Sequence, residues 1–214
     1  MKPKAAAPVT VDQLLDDLRG LLAPEVFLEA VALPGPSISE RFQANVGRWL
    51  SVDSVESYFD CQSCERPVID LAFLGRGRIF EDVLRDFVHL ERHSNPRSVV
   101  VVDGVLPLTQ NMAWRVAPPT FERPEPWVAD VFKLPALFAV NRPDLTLRLV
   151  DAAPYGALVV SGLDSRNVVL DRQFDRLVGD WSTWHNVPDD VFARTGAMSE
   201  ADLLLELVNE RKAR

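Results

Sequence analysis

Apolar positions change period along this chain, and the changes mark out its elements. "TVDQLLDDLRGLLAPE" puts Leu14, Leu15, Leu18, Leu21 and Leu22 on one helical stripe. Thr10 and Gln13 form a capping-box pattern at its start, and Pro24 stops it. "RIFEDVLRDFVHLERH" is the clearest helix, with Ile79, Phe80, Val83, Leu84, Phe87, Val88 and Leu90 returning at helical spacing. Short apolar runs alternate with these stripes. "VFLEAVAL" breaks at Pro34-Gly35-Pro36, "RWLSVD" ends on Asp53, and "PVIDLAFLG" ends on Gly75. "SISERFQANVG" predicts a helix from near Ser37. "PRSVVVVDG" is apolar on both faces, as a central strand covered from both sides must be. "DVFKLPALFAVNRP" is helical if Pro135 falls in the first turn. "LTLRLVDA" and "ALVVSGLD" predict a terminal pair of strands around Pro154-Tyr155-Gly156, and "SEADLLLELVNERKAR" predicts a last helix started by Ser199 and Asp202.

Strands alternating with helices predict an α/β, Rossmann-like fold, with a mostly parallel sheet, helices on both faces and an antiparallel edge hairpin. The expected organisation is a leader over 1–9, an α/β domain over 10–170 and a helical extension over 171–214. The stripe Leu203, Leu204, Leu207 and Val208 can dock on its own domain or on a second subunit.

Composition narrows the partners. The 214 residues suffice for one substantial core, and 47% hydrophobic with 25% charged residues is ordinary for a globular chain. A net charge of -8 argues against a nucleic-acid surface, which needs clustered Lys and Arg. No apolar run approaches the roughly 20 residues of a membrane span. "MKPKAAAPV" does not read as a signal peptide, so a cytoplasmic location is expected. The 2 cysteines, Cys61 and Cys64 in "CQSC", could be a redox pair or half a zinc site. His89, His93 and His185 lack matching spacing, so plain cysteines and no metal are expected.

The segments "APEVFLE", "PVIDLAFL", "FEDVLRDFVHLERHSNPRSVVVV", "LPLT", "DVFKL", "RPDL" and "GLDSRNVVL" carry a family likeness over most of 23–170. Their order and spacing resemble the class I S-adenosylmethionine-dependent methyltransferases, in the methyltransferase type 24-like branch. The resemblance implies S-adenosylmethionine as cofactor. It makes Glu29 the acid and Gly35 the later glycine of the family's Glu-x-Gly-x-x-x-Gly turn, where glycine lets backbone approach the ligand. It also makes Asp53, at the end of the second strand, the acceptor for both ribose hydroxyls.

The chain departs from the family at several points. Val31 or its neighbour Ala30 occupies the first glycine position, and Pro34 and Pro36 stiffen the turn. Only "SVESYFDCQSCERP" separates Asp53 from the next strand, too little for the family's helix and third strand, so the fold is expected to be shortened. Where the family has Phe-Ile-Asp-Gly-x-His, this chain has Gly75 and Arg78 in place of Asp and His. Arg76 and Arg78 could clamp an anion or form a solvated turn. Asp103, one position from the family's acid, is the candidate catalytic base or ligand, although Asp-Gly is also turn chemistry. Trp114 and Trp127 could line a substrate pocket or pack a loop down, and His185 reads as a packed residue.

Two functions stay open. One is a small-molecule methyltransferase, tailoring a natural product or sugar, with a compact cofactor site. The other is an inactive scaffold of that fold acting as a binding or assembly partner. The expected partners are accordingly a small-molecule acceptor or a protein, with a homo-oligomer an open alternative.

Overall fold

The computed structural model describes residues 9–30, 47–60, 65–75, 78–116 and 127–213. Gly35, Arg76, Cys61, Cys64 and the helix expected from Ser37 lie outside them.

Six strands form one sheet: β1 (Val26–Ala30), β2 (Arg48–Val52), β3 (Ile69–Leu74), β4 (Ser94–Asp103), β5 (Thr146–Val150) and β6 (Ala157–Ser161). Their order is β2-β1-β3-β4-β6-β5. β1 to β4 pair in parallel, and β6 runs antiparallel to both β4 and β5. The architecture is therefore Rossmann-like, mostly parallel with one antiparallel hairpin, as expected. The hairpin turn fits because Gly156 adopts φ 66 and has no side chain. A Cβ there would meet Leu106 at 2.5 Å. Gly104 N–H donates to Gly156 O at 2.9 Å and Leu106 N–H to Tyr155 O at 2.7 Å, which tie the turn to the chain leaving β4.

Strand alternation divides the core in two. Phe27, Leu71, Phe73, Val99, Val101 and Val159 face α1 (Val11–Leu22) and the C-terminal helix α8 (Glu200–Ala213). Leu28, Ala72, Leu74, Val100, Val102 and Val160 share the other core with α3 (Phe80–Arg92) and α4 (Leu134–Asn141). Leu14, Leu15 and Leu18 of α1 are fully buried, each worth roughly 2 kcal/mol by the area removed from water. Between Asp53 and β3 the described residues hold only α2 (Val55–Asp60) and no strand, so among the described residues the sheet ends at β2. The chain is completed by α5 (Val169–Arg172), α6 (Phe174–Ser182) and α7 (Asp189–Phe192).

Local chemistry sets the helix ends. Thr10 Oγ1 accepts from Gln13 N–H at 3.2 Å, and Ala23 closes α1 in the left-handed region with its N–H on Arg19 O at 2.9 Å. Pro135 lies in the first turn of α4, where its missing N–H costs nothing. Ser199 Oγ accepts from Asp202 N–H at 3.2 Å and starts α8.

Two buried arginines fasten the layers. Arg142, after α4, makes a bidentate pair with Glu91 of α3 at 2.6 and 2.7 Å and also donates to Asp144. That contact holds the Asp144 carboxyl below its usual range. Arg148 on the edge strand β5 reaches Glu206 at 2.8 Å and Glu210, which seats α8 on the sheet. Leu203 and Leu207 of the last helix are thus buried against the chain's own domain. No helix among the described residues is long and apolar enough to cross a membrane.

Candidate functional site at the carboxyl edge of the sheet

Val52, Ala30, Leu74 and Val102 lie side by side across the four parallel strands. The next residues therefore leave the sheet at one level, Asp53 from β2, Gly75 from β3 and Asp103 at the end of β4. Gly75 N–H donates back to Ala30 O at 2.8 Å, holding this edge together. From β1 the chain passes to β2 on one side and later to β3 on the other. The topological switch point thus falls between β1 and β3, where open parallel sheets bind ligands. The chain leaving β2 at this crevice presents an exposed carboxylate, Asp53. The fold is Rossmann-like, and among the described residues no strand lies beyond β2.

No family model and no curated protein matches the sequence. Solved structures resemble it at low identity. An O-methyltransferase from Bacillus cereus in complex with SAH shares 13% identity over 75% of this chain and 84% of its own, with a TM-score of 0.45. The O-methyltransferase TomG from Streptomyces achromogenes, involved in tomaymycin synthesis and in complex with SAM, shares 19% over 76% of this chain and 83% of its own, with a TM-score of 0.45. Likeness of this degree says nothing about what the present chain binds.

Across this edge of the sheet the expected site residues are spread out. Asp53 and Asp103 are three strand spacings apart, on the order of 14 Å. Glu29 sits one level inside the sheet between Ser51 and Phe73 and is fully buried. It shares the face of Phe27, toward α1 and α8. Asp103 pairs with Ala157 and is 5% exposed, on the face of Val99 and Val101. Both acids thus point to the α1 side.

Arg78, read as half of an anion clamp with Arg76 or as part of a solvated turn, is buried and serves the fold. It forms an ion pair with Asp86 of α3. Asp86 also accepts from Val55 N–H at 2.9 Å and from the Ser54 hydroxyl at 3.3 Å. The pair therefore bolts α3 to the start of α2, just beyond Asp53. The reason is local: an acid two turns into α3 reaches the arginine that precedes the helix. Burial raises the neighbouring Asp82 carboxyl above its ordinary value, with Arg78 acting in the opposite direction.

Trp114 is half-exposed and lines a cavity of about 370 Å³ together with Arg115, Asp130, Lys133, Trp184 and His185. This cavity lies by the first turn of α3, the helix reached from the carboxyl end of β3. Asp130 Oδ1 accepts from Phe80 N–H at 2.9 Å, so a residue fifty positions away caps α3. Its Oδ2 accepts from Lys133 Nζ at 2.7 Å and from Arg115 Nη1 at 3.4 Å. Arg115 also forms a two-pronged pair with Glu81, which raises its pKa further. Lys133 lies 4.7 Å over the Phe80 ring. Arg115 and Lys133 are thus balanced by Glu81 and Asp130, and the cavity presents its aromatic and imidazole groups. Gln110 positions the histidine segment, donating to His185 O at 2.8 Å and accepting from Val187 N–H at 2.9 Å.

Sequence reasoning misses Asp130, Lys133, Arg115 and Glu81, and sets His185 aside. One signal was present: two opposite charges spaced i, i+3 in the apolar run "ADVFKLP" must pair if that run is buried. His185 had no such signal, because Gln110 places it from 75 positions away. The described residues hold no group of three or more His, Cys, Asp or Glu able to ligate a metal.

Proposed function

We propose that this chain binds S-adenosylmethionine in the crevice beside β1 and acts as a small-molecule methyltransferase with a compact cofactor site. The observation that carries the reading is the exposed carboxylate of Asp53 at the carboxyl end of the second parallel strand, beside the switch point. Its two acceptor oxygens fit a pair of vicinal ribose hydroxyls. When bound, S-adenosylmethionine supplies a methyl group already activated on a sulfonium. The chain's task is then to hold an acceptor in line and manage its proton. The 370 Å³ cavity beside α3 is the acceptor site in this reading. Trp114 and Trp184 offer flat apolar walls, and His185 offers an imidazole to take a proton from a hydroxyl or amine. Natural products and sugars are acceptors of this kind.

The test is thermal shift and calorimetry with S-adenosylmethionine and S-adenosylhomocysteine. Ligand at about 100 times its dissociation constant adds roughly 2.7 kcal/mol of stability. A shift is expected for both ligands, and Asp53→Ala should abolish it while leaving the unliganded melting temperature unchanged.

The second reading is a scaffold of the same fold that has lost the cofactor and docks a protein or a second copy. The sheet's end at β2 favours it, because the strand that would wall that side of the crevice is absent among the described residues. No shift at millimolar ligand selects the scaffold.

A further inference from the structure

At the opposite, amino edge of the sheet, a second cavity of about 420 Å³ lies between the end of α1, the start of β4 and the last turns of α8. Its floor is apolar and buried, made by Leu22, Val99 and Leu207. Its rim carries Arg97 and Arg211, with Ser161 and Glu210 between. An apolar wall of this size with a few placed polar groups is the usual build of a small-molecule site.

The way Arg97 reaches the rim is specific. Ser94 pairs with Ile69 and Val99 with Leu71, so four residues of β4, Asn95 to Ser98, stand opposite the single Asp70. This excursion is pinned at three points. Ser98 Oγ donates to Ile69 O at 2.6 Å, Asn95 N–H donates to Ser98 Oγ at 2.8 Å, and Arg97 N–H donates to Asn95 Oδ1 at 2.7 Å. Strand irregularities re-aim side chains and recur beside binding sites. Here the residue displaced to the cavity is an arginine whose guanidinium has no hydrogen bond or ion pair among the described residues.

The facing wall is equally fixed. Arg211 donates to Leu21 O at 2.6 Å and Leu22 O at 3.1 Å, the last carbonyls of α1, which uses two of its five N–H donors. Ser161 Oγ accepts from Arg148 Nη1 at 3.1 Å and keeps its own hydrogen to donate. Arg148 is paired with Glu206 and Glu210. Three guanidinium groups against two carboxylates leave a single positive charge at the cavity. A monoanion matches that balance, and a phosphate dianion would meet Glu210 without enough compensation.

We propose that this cavity binds an amphiphilic monocarboxylate, with its apolar part on Leu22, Val99 and Leu207 and its carboxylate between Arg97 and Arg211. Val99 on the floor lies four residues along β4 from Asp103 at the other edge, on the order of 13 Å. The two sites therefore fill independently.

The experiment titrates the full chain with octanoate, octanamide and octyl phosphate by calorimetry, and maps octanoate by amide NMR. Octanoate should bind at millimolar concentration or tighter, with shifts centred on Arg97, Val99, Leu207 and Arg211. Octanamide and octyl phosphate should each bind at least tenfold more weakly. Arg97→Ala and Arg97→Gln should each weaken octanoate about tenfold and leave the binding of S-adenosylhomocysteine as it is in the unchanged chain. Equal binding of octanamide, an unchanged affinity in either variant, shifts centred on Asp53 or Trp114, or no binding at all would overturn the proposal.

Discussion

At the scale of single residues, Asp130 shows how the cavity wall is held. Its carboxylate serves a backbone N–H, a buried ammonium and a guanidinium at once. Lys133 is only 1% exposed, and its Nζ has Asp130 as its carboxylate. In Asp130→Asn the bond to Phe80 can persist, but the lysine is left as a buried, uncompensated charge. Removing one partner of such a pair costs roughly 3–5 kcal/mol, far more than replacing both with apolar groups. Urea unfolding should show a loss in that range for Asp130→Asn. The double variant Asp130→Asn, Lys133→Met should recover at least half of it. A single variant costing less than about 1 kcal/mol would mean that the ammonium finds another partner. Residue chemistry of this kind is only half legible in sequence. The acids Glu29, Asp53 and Asp103 stand out at strand ends, but their burial depends on neighbours across the sheet. Asp53 follows its strand and is exposed, while Glu29 lies one residue inside the end of its own and is sealed.

At the scale of elements, helix ends are legible because their chemistry is local. Thr10, Pro24, Pro135 and Ser199 each act within a few positions of themselves. The excursion in β4 is illegible for the converse reason. "PRSVVVVDG" reads as one straight strand, while the bond that shapes it joins Ser98 to Ile69, 29 positions away. The contact of α1 with α8 is another long-range feature, and it carries a pH dependence. Burial, followed by a hydrogen bond to Asp17 of α1, pushes the Glu200 carboxyl up to about 7. The same bond, with a second from Gln13 at 3.0 Å, lowers the Asp17 carboxyl. Glu200 therefore keeps its proton when folded and loses it more easily when unfolded, where its value is 4.5. Its contribution is complete below pH 4.5 and fades as pH rises through about 7. Asp17 acts at lower pH, gaining above 3.8, so the interval between belongs to Glu200. Glu200→Gln keeps a donor at every pH. Its melting temperature should match the unchanged chain near pH 5 and exceed it at pH 8. Parallel melting curves across that range would remove Glu200 as the cause.

At the scale of the whole molecule, the decisive feature is where the sheet stops. The short span between Asp53 and β3 was visible by counting, and among the described residues it holds a helix and no strand. The order of the strands was not visible in periodicity, because pairing partners lie far apart in sequence. Among the described residues β2 consequently has a ladder on one side alone, and most of its residues are half-buried where those of β3 and the latter part of β4 are sealed. Edge strands open at low cost and invite partners. Hydrogen exchange should therefore run on the order of 100-fold faster over Arg48–Val52 than over Val99–Val102. If the crevice takes a nucleoside through Asp53, saturating S-adenosylhomocysteine should slow exchange at Val52 to Ser54 and at Gly75 and leave Leu147 to Leu149 on the far edge unaltered. If β2 instead exchanges as slowly as β4 without ligand, its edge is covered. Dilution then separates the two ways of covering it: protection that falls with concentration comes from a second copy, and protection that does not comes from the chain itself.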